Sequence, residues 1–193
     1  MAKLYFRYGA MNSGKSTAVL QVAHNYEERG LKVLLIKPAI DTKGDDTIVS
    51  RLGASRRVDM LATPQINLAQ AVKQWSKDVE KIDCVINDEA QFFAPEQIDQ
   101  LFEIAVLQNI PVICYGIKTD FLTHAFPGST RLFEVAHSLE ELKTICRCGK
   151  KAIFNGRKID GEFVFEGDQV AIDGQSEVGY ESLCGSCYLR FKK

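Results

Sequence analysis

The chain has 193 residues, 46% of them hydrophobic and 25% charged, which fits one domain with at most a small appendage and excludes disorder and collagen-like structure. Twenty-four Lys and Arg against 25 Asp and Glu give a formal net charge of -1, which removes the positive field that a general nucleic-acid coat protein relies on. No apolar run approaches the roughly 20 residues that span a bilayer, and the N-terminus breaks into glycine and polar residues before any signal-peptide core develops, so a cytoplasmic protein with no membrane partner is expected.

In chain order the pattern alternates strand and helix. Residues 4–8 are short, aromatic and strand-like and end in Gly9; residues 16–29 read as a helix stopped by Gly30; residues 32–37 read as the next strand. A polar loop covers 38–50, a short strand is expected at 58–62, and 67–79 carries helical spacing with Leu68, Ala71, Val72 and Trp75 on one face. Residues 82–87 are apolar on both parities, as a strand buried on both faces should be. Residues 95–108 read as a helix with Pro95 in its first turn, and 111–117 as another buried strand. This alternation predicts an α/β fold with a parallel sheet flanked by helices. Past His137 the texture changes to Gly-rich, Cys-containing short strands with no helix among them, so the expected division is 1–141 and a small second domain at 142–193.

Between the first strand and the first helix, Gly9-Ala10-Met11-Asn12-Ser13-Gly14-Lys15-Ser16 matches G-x-x-x-x-G-K-[ST] in full. Glycines let the backbone curl around phosphate, amides and the helix N-terminus supply partial positive charge, Lys15 reaches the β and γ phosphates, and Ser16 can hold magnesium. An ordinary Gly-rich turn would leave Lys15 and Ser16 unexplained. Asp88 and Glu89 follow an apolar strand directly, at the binding edge of an open α/β sheet. There Asp88 could hold magnesium, directly or through water, leaving Glu89 free to act on an acceptor. The expected fold is therefore like that of P-loop nucleoside triphosphatases.

Of six cysteines, Cys84 and Cys114 fall in buried strands and read as core thiols. Cys146 and Cys148 form one pair and Cys184 and Cys187 another, 36 positions on, each beside glycine. In a reducing compartment this spacing suits two knuckles closing on one structural zinc ion, with unliganded thiols as the alternative.

The Gly9–Ser16 turn, Asp88-Glu89-Ala90-Gln91-Phe92-Phe93, the run from Tyr115 to Phe121 and the late cysteine pairs, in this order, resemble the zinc-containing thymidine kinases shared by bacteria and animal cytosol. The resemblance implies transfer of the γ-phosphoryl group of ATP to the 5′-hydroxyl of thymidine or deoxyuridine, with magnesium, in a homotetramer inhibited by thymidine triphosphate. It implies Glu89 as the catalytic base. ATP contacts would fall on the Gly9–Ser16 turn, on Asp88, Glu89, Ala90 and Gln91, and on Asp41, Thr42 and Lys43. The pyrimidine would be held by Met11, Phe92, Phe121, Phe126, the segment Val170, Ala171, Ile172, Asp173 and Gly174, and Tyr180; core packing is the alternative for each aromatic taken singly.

The DEAQ run is also similar to a motif of helicase ATPases, but such motors need two ATPase-like domains. A zinc-ribbon module binding nucleic acid is the other rival, and the near-neutral charge argues against it.

Overall fold

The computed structural model describes residues 1–39, 46–78, 81–169 and 177–193. Its first elements are β1 (Leu4–Tyr8), α1 (Lys15–Glu27), β2 (Val33–Pro38), a hairpin of β3 (Thr47–Val49) and β4 (Ser55–Arg57), β5 (Met60–Ala62) and α2 (Leu68–Asp78). There follow β6 (Cys84–Asn87), α3 (Pro95–Leu107), β7 (Val112–Gly116), α4 (Pro127–Val135) and β8 (Ser138–Glu141). Six strands form one sheet in the order β5-β2-β6-β7-β1-β8, every neighbouring pair parallel.

Alternate side chains of each strand feed different cores. Leu34, Ile36 and Val85 pack with Leu68 and Val72 of α2, Ile98, Leu101 and Ile104 of α3, and Leu132 of α4. Leu35, Cys84, Ile86 and Ile113 pack on the other face with Val19 and Ala23 of α1 and Ile48 of the β3–β4 hairpin. The apolar runs on both parities exist because neither face meets water. Cys84 and Cys114 are fully buried, as expected for core thiols.

The helices start where the chemistry provides a stop for loose backbone donors. Asn67 caps α2, its Oδ1 accepting the Gln70 N–H at 2.9 Å, so the helix begins one residue later than the spacing suggests; Val79, its expected end, lies outside the described residues. Pro95 and Pro127 occupy the first turns of α3 and α4, where a missing N–H costs nothing. The β3–β4 hairpin begins inside the stretch read as polar loop; its three-residue strands bury only Ile48 fully, too little to register as a pattern.

The rest of the chain forms β9 (Thr144–Ile145), β10 (Lys151–Ala152), β11 (Phe154–Ile159), β12 (Glu162–Val164), β13 (Val178–Leu183) and α5 (Gly185–Lys192). β9 and β10 make a small hairpin, and β12-β11-β13 an antiparallel sheet. The helix α5 corrects the expectation of no helix past His137. Its eight residues include glycine, serine and cysteine, poor helix formers that hide the period, and it is held by burying Cys187 and Tyr188 against a third cluster with Leu183, Phe154, Phe163, Phe165 and Phe191.

Arg147, between two cysteines, makes a two-pronged pair with Glu181 on β13, and Lys158 adds a second cation at 2.6 Å. The Arg147 hydrogen bonds, opposed by burial and aided by Lys158, hold the Glu181 carboxyl down at about 2. Because the folded value lies below the ordinary one, the contribution to stability is complete above about pH 4.5 and is lost as pH falls toward 2. We expect Glu181→Gln to lower the thermal midpoint at neutral pH, with the gap from wild type closing on acidification below pH 4.5. A gap independent of pH would remove the ion pair as its source.

Candidate active site

The sheet order places β7 between β6 and β1, so three strand ends converge. Tyr8 leads into the Gly9–Ser16 turn, Asn87 into Asp88 and Glu89, and Gly116 into the run ending at Phe121. The turn closes tightly. A Cβ on Gly9 would lie 2.4 Å from Ser13 Oγ and 2.6 Å from the Leu142 carbonyl, and Gly14 has φ +81, so neither position suits another residue. Lys15, the first residue of α1, curls its Nζ back into the turn, donating to the Ala10 carbonyl at 2.9 Å and Ser13 Oγ at 3.4 Å.

Burial lowers the Lys15 pKa, and the charges of Glu89 and Asp88 work against that shift. Asp88 is almost wholly buried; desolvation first, then the neighbouring Glu89 charge, push its carboxyl well above the usual range. Two carboxylates crowded under one lysine and the hydroxyl-bearing start of a helix form a donor set that suits a divalent cation carried with phosphate. Glu89 itself sits at φ 52, a left-handed conformation uncommon for a residue with a side chain. Gln91 holds its carboxylate: Nε2 donates to Glu89, while Oε1 accepts the Ile117 N–H at 3.2 Å, which fixes the orientation of the amide. Ala90 is buried beneath this corner.

A cleft of about 840 Å³ opens here, large enough for a nucleotide-sized ligand. Its lining includes Met11, Asn12, Gly14, Lys15, Ser16, Glu89 and Gln91 together with Phe92, Phe121, Phe126 and Tyr180. Phe92 and Phe126 meet edge to face at 5.4 Å. The structure therefore brings together most of the residues read from sequence. Gly9, Ala10, Ser13, Asp88 and Ala90 stand behind the lining, whereas Asp41, Thr42, Lys43 and the segment Val170, Ala171, Ile172, Asp173, Gly174 lie outside the described residues.

Sequence reasoning missed Asn155, Asp120 and Gln169, which also line the cleft. Asn155, only 2% exposed, accepts the Met11 N–H at 2.8 Å and donates to the Thr119 carbonyl at 2.8 Å, joining the turn, the end of β7 and β11. Its one faint mark is an asparagine in a strand, a residue type that strands disfavour. Asn155→Ala strands a buried donor and a buried acceptor, and we expect it to lower the unfolding free energy by about 1–3 kcal/mol in urea titration. A loss below about 0.5 kcal/mol would show that water replaces both contacts.

Cys146 and Cys148 occupy the β9–β10 turn; Cys184 precedes α5 and Cys187 lies in its first turn. The four sulfurs lie within 4.8 Å of one another, with Cys148 and Cys184 Sγ 3.5 Å apart, and no cysteine is in a disulfide. Four thiolates about 2.3 Å from one ion would stand about 3.8 Å apart, so the donor set fits a tetrahedral metal. Burial works to raise the Cys146 thiol, but backbone N–H groups of Cys148 and Cys184 bring it below its ordinary value; Cys184 is lowered chiefly by the Cys187 N–H. Both of these shifts favour the thiolate that a metal needs, whereas burial, with the three neighbouring sulfurs adding to it, pushes the Cys187 thiol up to about 12.

A profile described as thymidine kinase matches residues 2–188. The thymidine kinase of Legionella pneumophila (strain Paris) is 47% identical over 196 aligned positions, covering 100% of this chain and 90% of that protein. The thymidine kinase of Idiomarina loihiensis is 49% identical, covering 95% and 94%, and that of Enterobacteria phage T4 is 45% identical over the same shares. The matched stretch, residues 2–188, spans the Gly9–Ser16 turn, the Asp88–Glu89 corner and both cysteine pairs, and the chain belongs to the thymidine kinase family.

Proposed function

We propose that this chain transfers the γ-phosphoryl group of ATP to the 5′-hydroxyl of thymidine or deoxyuridine, a salvage reaction. The observation that carries the reading is a single cleft whose lining holds Lys15 and Ser16 at the start of α1, the carboxylate of Glu89, and the aromatic faces of Phe92, Phe121, Phe126 and Tyr180. A triphosphate and a flat pyrimidine need these two kinds of surface, and transfer needs them in one cavity.

In this reading the amides of the Gly9–Ser16 turn and the N-terminus of α1 bind the phosphate chain, and Lys15 swings from the Ala10 carbonyl to the β and γ oxygens. Glu89 accepts the proton of the 5′-hydroxyl as that oxygen bonds to the γ phosphorus and the bond to the β-phosphate oxygen breaks, releasing ADP. Ser16 and Asp88 would hold magnesium, which supplies charge neutralisation on the phosphates. Met11 and the four aromatics would hold the base. Ala90 and Gln91 would complete the ATP side, with Asp41, Thr42 and Lys43, and residues 170–174 the base side, by family resemblance.

We further propose that the four thiols hold structural zinc, with no open position for chemistry, and that residues 142–193 are a unit of their own beside 1–141. Family resemblance supports a homotetramer inhibited by thymidine triphosphate, with no nucleic-acid partner. No helix among the described residues is long and apolar enough to cross a membrane, and a cytoplasmic location fits the reduced cysteines.

The deciding assay mixes the protein with ATP, magnesium and thymidine and separates the nucleoside products. Thymidine monophosphate is expected; phosphate release stimulated by nucleic acid, without nucleoside product, would favour a motor or switch ATPase instead. Glu89→Gln should retain ATP binding and lose turnover by about 10²–10⁴-fold, and near-normal turnover would remove Glu89 as the base. Metal analysis should return about one zinc per chain; replacing Cys146, Cys148, Cys184 or Cys187 by serine should abolish it, and Cys84→Ser or Cys114→Ser should not. Retention of full zinc content by any of the first four would break the assignment.

A further inference from the structure

Arg157 lies on β11, 4% exposed, behind the wall of the cleft rather than in it. Its Nε donates to the Tyr180 hydroxyl at 3.1 Å, one terminal nitrogen to the Asp168 carbonyl at 2.8 Å and the other to the Gln169 carbonyl at 2.9 Å. The face of the guanidinium stacks on the Phe121 ring, 3.7 Å from its centroid. Among the described residues none of its hydrogen-bond acceptors is a carboxylate. A buried cation whose acceptors among the described residues are all uncharged gains little for the fold from its charge, since burial penalises the charge and an apolar side chain would pack there without that cost. What the group offers instead is a rigid plane with donors in fixed directions, and three of the residues it touches, Phe121, Gln169 and Tyr180, line the cleft.

We propose that Arg157 is a positioning residue for the nucleoside: one planar cation sets the plane of Phe121, the course of the chain at residues 168 and 169, and the hydroxyl of Tyr180. This rests on the thymidine reading above. Because Tyr180 Oη accepts the Nε–H, its own hydrogen is left to donate, so the hydroxyl is presented as a donor to a nucleoside carbonyl or hydroxyl oxygen. Gln169 carries the restraint further, its Nε2 donating to Asp120 Oδ2 at 3.1 Å, while Asp120 Oδ1 accepts the N–H groups of Leu122 and His124, each at 2.8 Å. The wall is thus tied from β11 to the turn after Phe121. Among the described residues none of these side chains is hydrogen-bonded to the Gly9–Ser16 turn, so the effect should fall mainly on one substrate.

The test is steady-state kinetics of Arg157→Lys and Arg157→Gln in the intact chain, with thermal midpoints and zinc content measured beside them. Lysine keeps the charge but has no fork and no flat face. Both variants are expected to raise the thymidine KM by about 10-fold or more, with the ATP KM within about twofold and kcat changed less than the thymidine KM. Equal weakening of both substrates, an unmoved thymidine KM, full rescue by lysine, or failure of both variants to fold would each overturn the role, the last because it would make Arg157 a requirement of the fold. A wild-type chain that makes no thymidine monophosphate removes the underlying reading; a competent wild type with Arg157 variants unmoved in thymidine KM removes this inference alone.

Discussion

Both polar groups of the Met11 backbone are fastened by side chains from the C-terminal sheet: the N–H donates to Asn155 Oδ1, and the carbonyl accepts from the Ser182 hydroxyl. A turn that aims several amides at one point uses backbone conformations that are unfavourable in isolation, and here Asn12 at φ 66 and Gly14 at φ 81 are both left-handed. Such a turn keeps its shape only if the surroundings over-determine it. The Thr144 hydroxyl adds a third tie, to the Asn12 carbonyl at 3.3 Å. The C-terminal sheet is therefore part of what shapes the Gly9–Ser16 turn as well as of the aromatic wall.

The electrostatics of the cleft follow from what is buried there. Removing Lys15 from water disfavours its charge, and Asp88 and Glu89 oppose that; Asp88, buried and next to another carboxylate, is pushed toward protonation. Lys15 and Lys37 favour the ionised Asp88, whereas the adjacent Glu89 opposes it, so the cost of burying that carboxylate is only partly offset. A site with oriented but incompletely neutralised charges interacts strongly with an incoming anion and its cation, because little dipole reorganisation is needed when they arrive. The left-handed Glu89 and the fixed amide of Gln91 belong to the same economy: the carboxylate is aimed before substrate binds.

Much of this was legible in sequence, for definite reasons. Strands apolar on both parities can only be central strands of a covered sheet, and a G-x-x-x-x-G-K-S turn between strand and helix has a mechanism attached to its spacing. The two members of each cysteine pair are kept close by local backbone, the C-x-C pair in the β9–β10 turn and the C-x-x-C pair at the start of α5. What sequence could not reveal depends on partners far along the chain. Asn155 meets Met11 across 144 positions and Arg157 meets Tyr180 across 23, and no periodicity or motif encodes a side chain chosen for a remote carbonyl. The small helix α5 and the β3–β4 hairpin escaped for the opposite reason: each is too short to establish a period and is stabilised by what it packs on.

Among the described residues the third apolar cluster is small: six buried residues, of which three are cysteines, with four aromatics packed around them. A segment of about fifty residues with so little core does not hold itself together by burial alone, and the free energy of a metal bound by four thiolates becomes folding free energy of the segment they join. From that cluster, rigid connections lead directly to the cleft. Tyr188, next to Cys187 in α5, donates its hydroxyl to the Phe121 carbonyl at 2.7 Å, and Ser182, two residues before Cys184, holds Met11. The segment that carries the four cysteines thus touches the aromatic wall through α5 and the Gly9–Ser16 turn through β13. Loosening it would disturb both surfaces together, whereas a defect at Arg157 falls first on the wall, because among the described residues the hydrogen bonds and ring contacts of its guanidinium go to Phe121, Tyr180 and the carbonyls of residues 168 and 169.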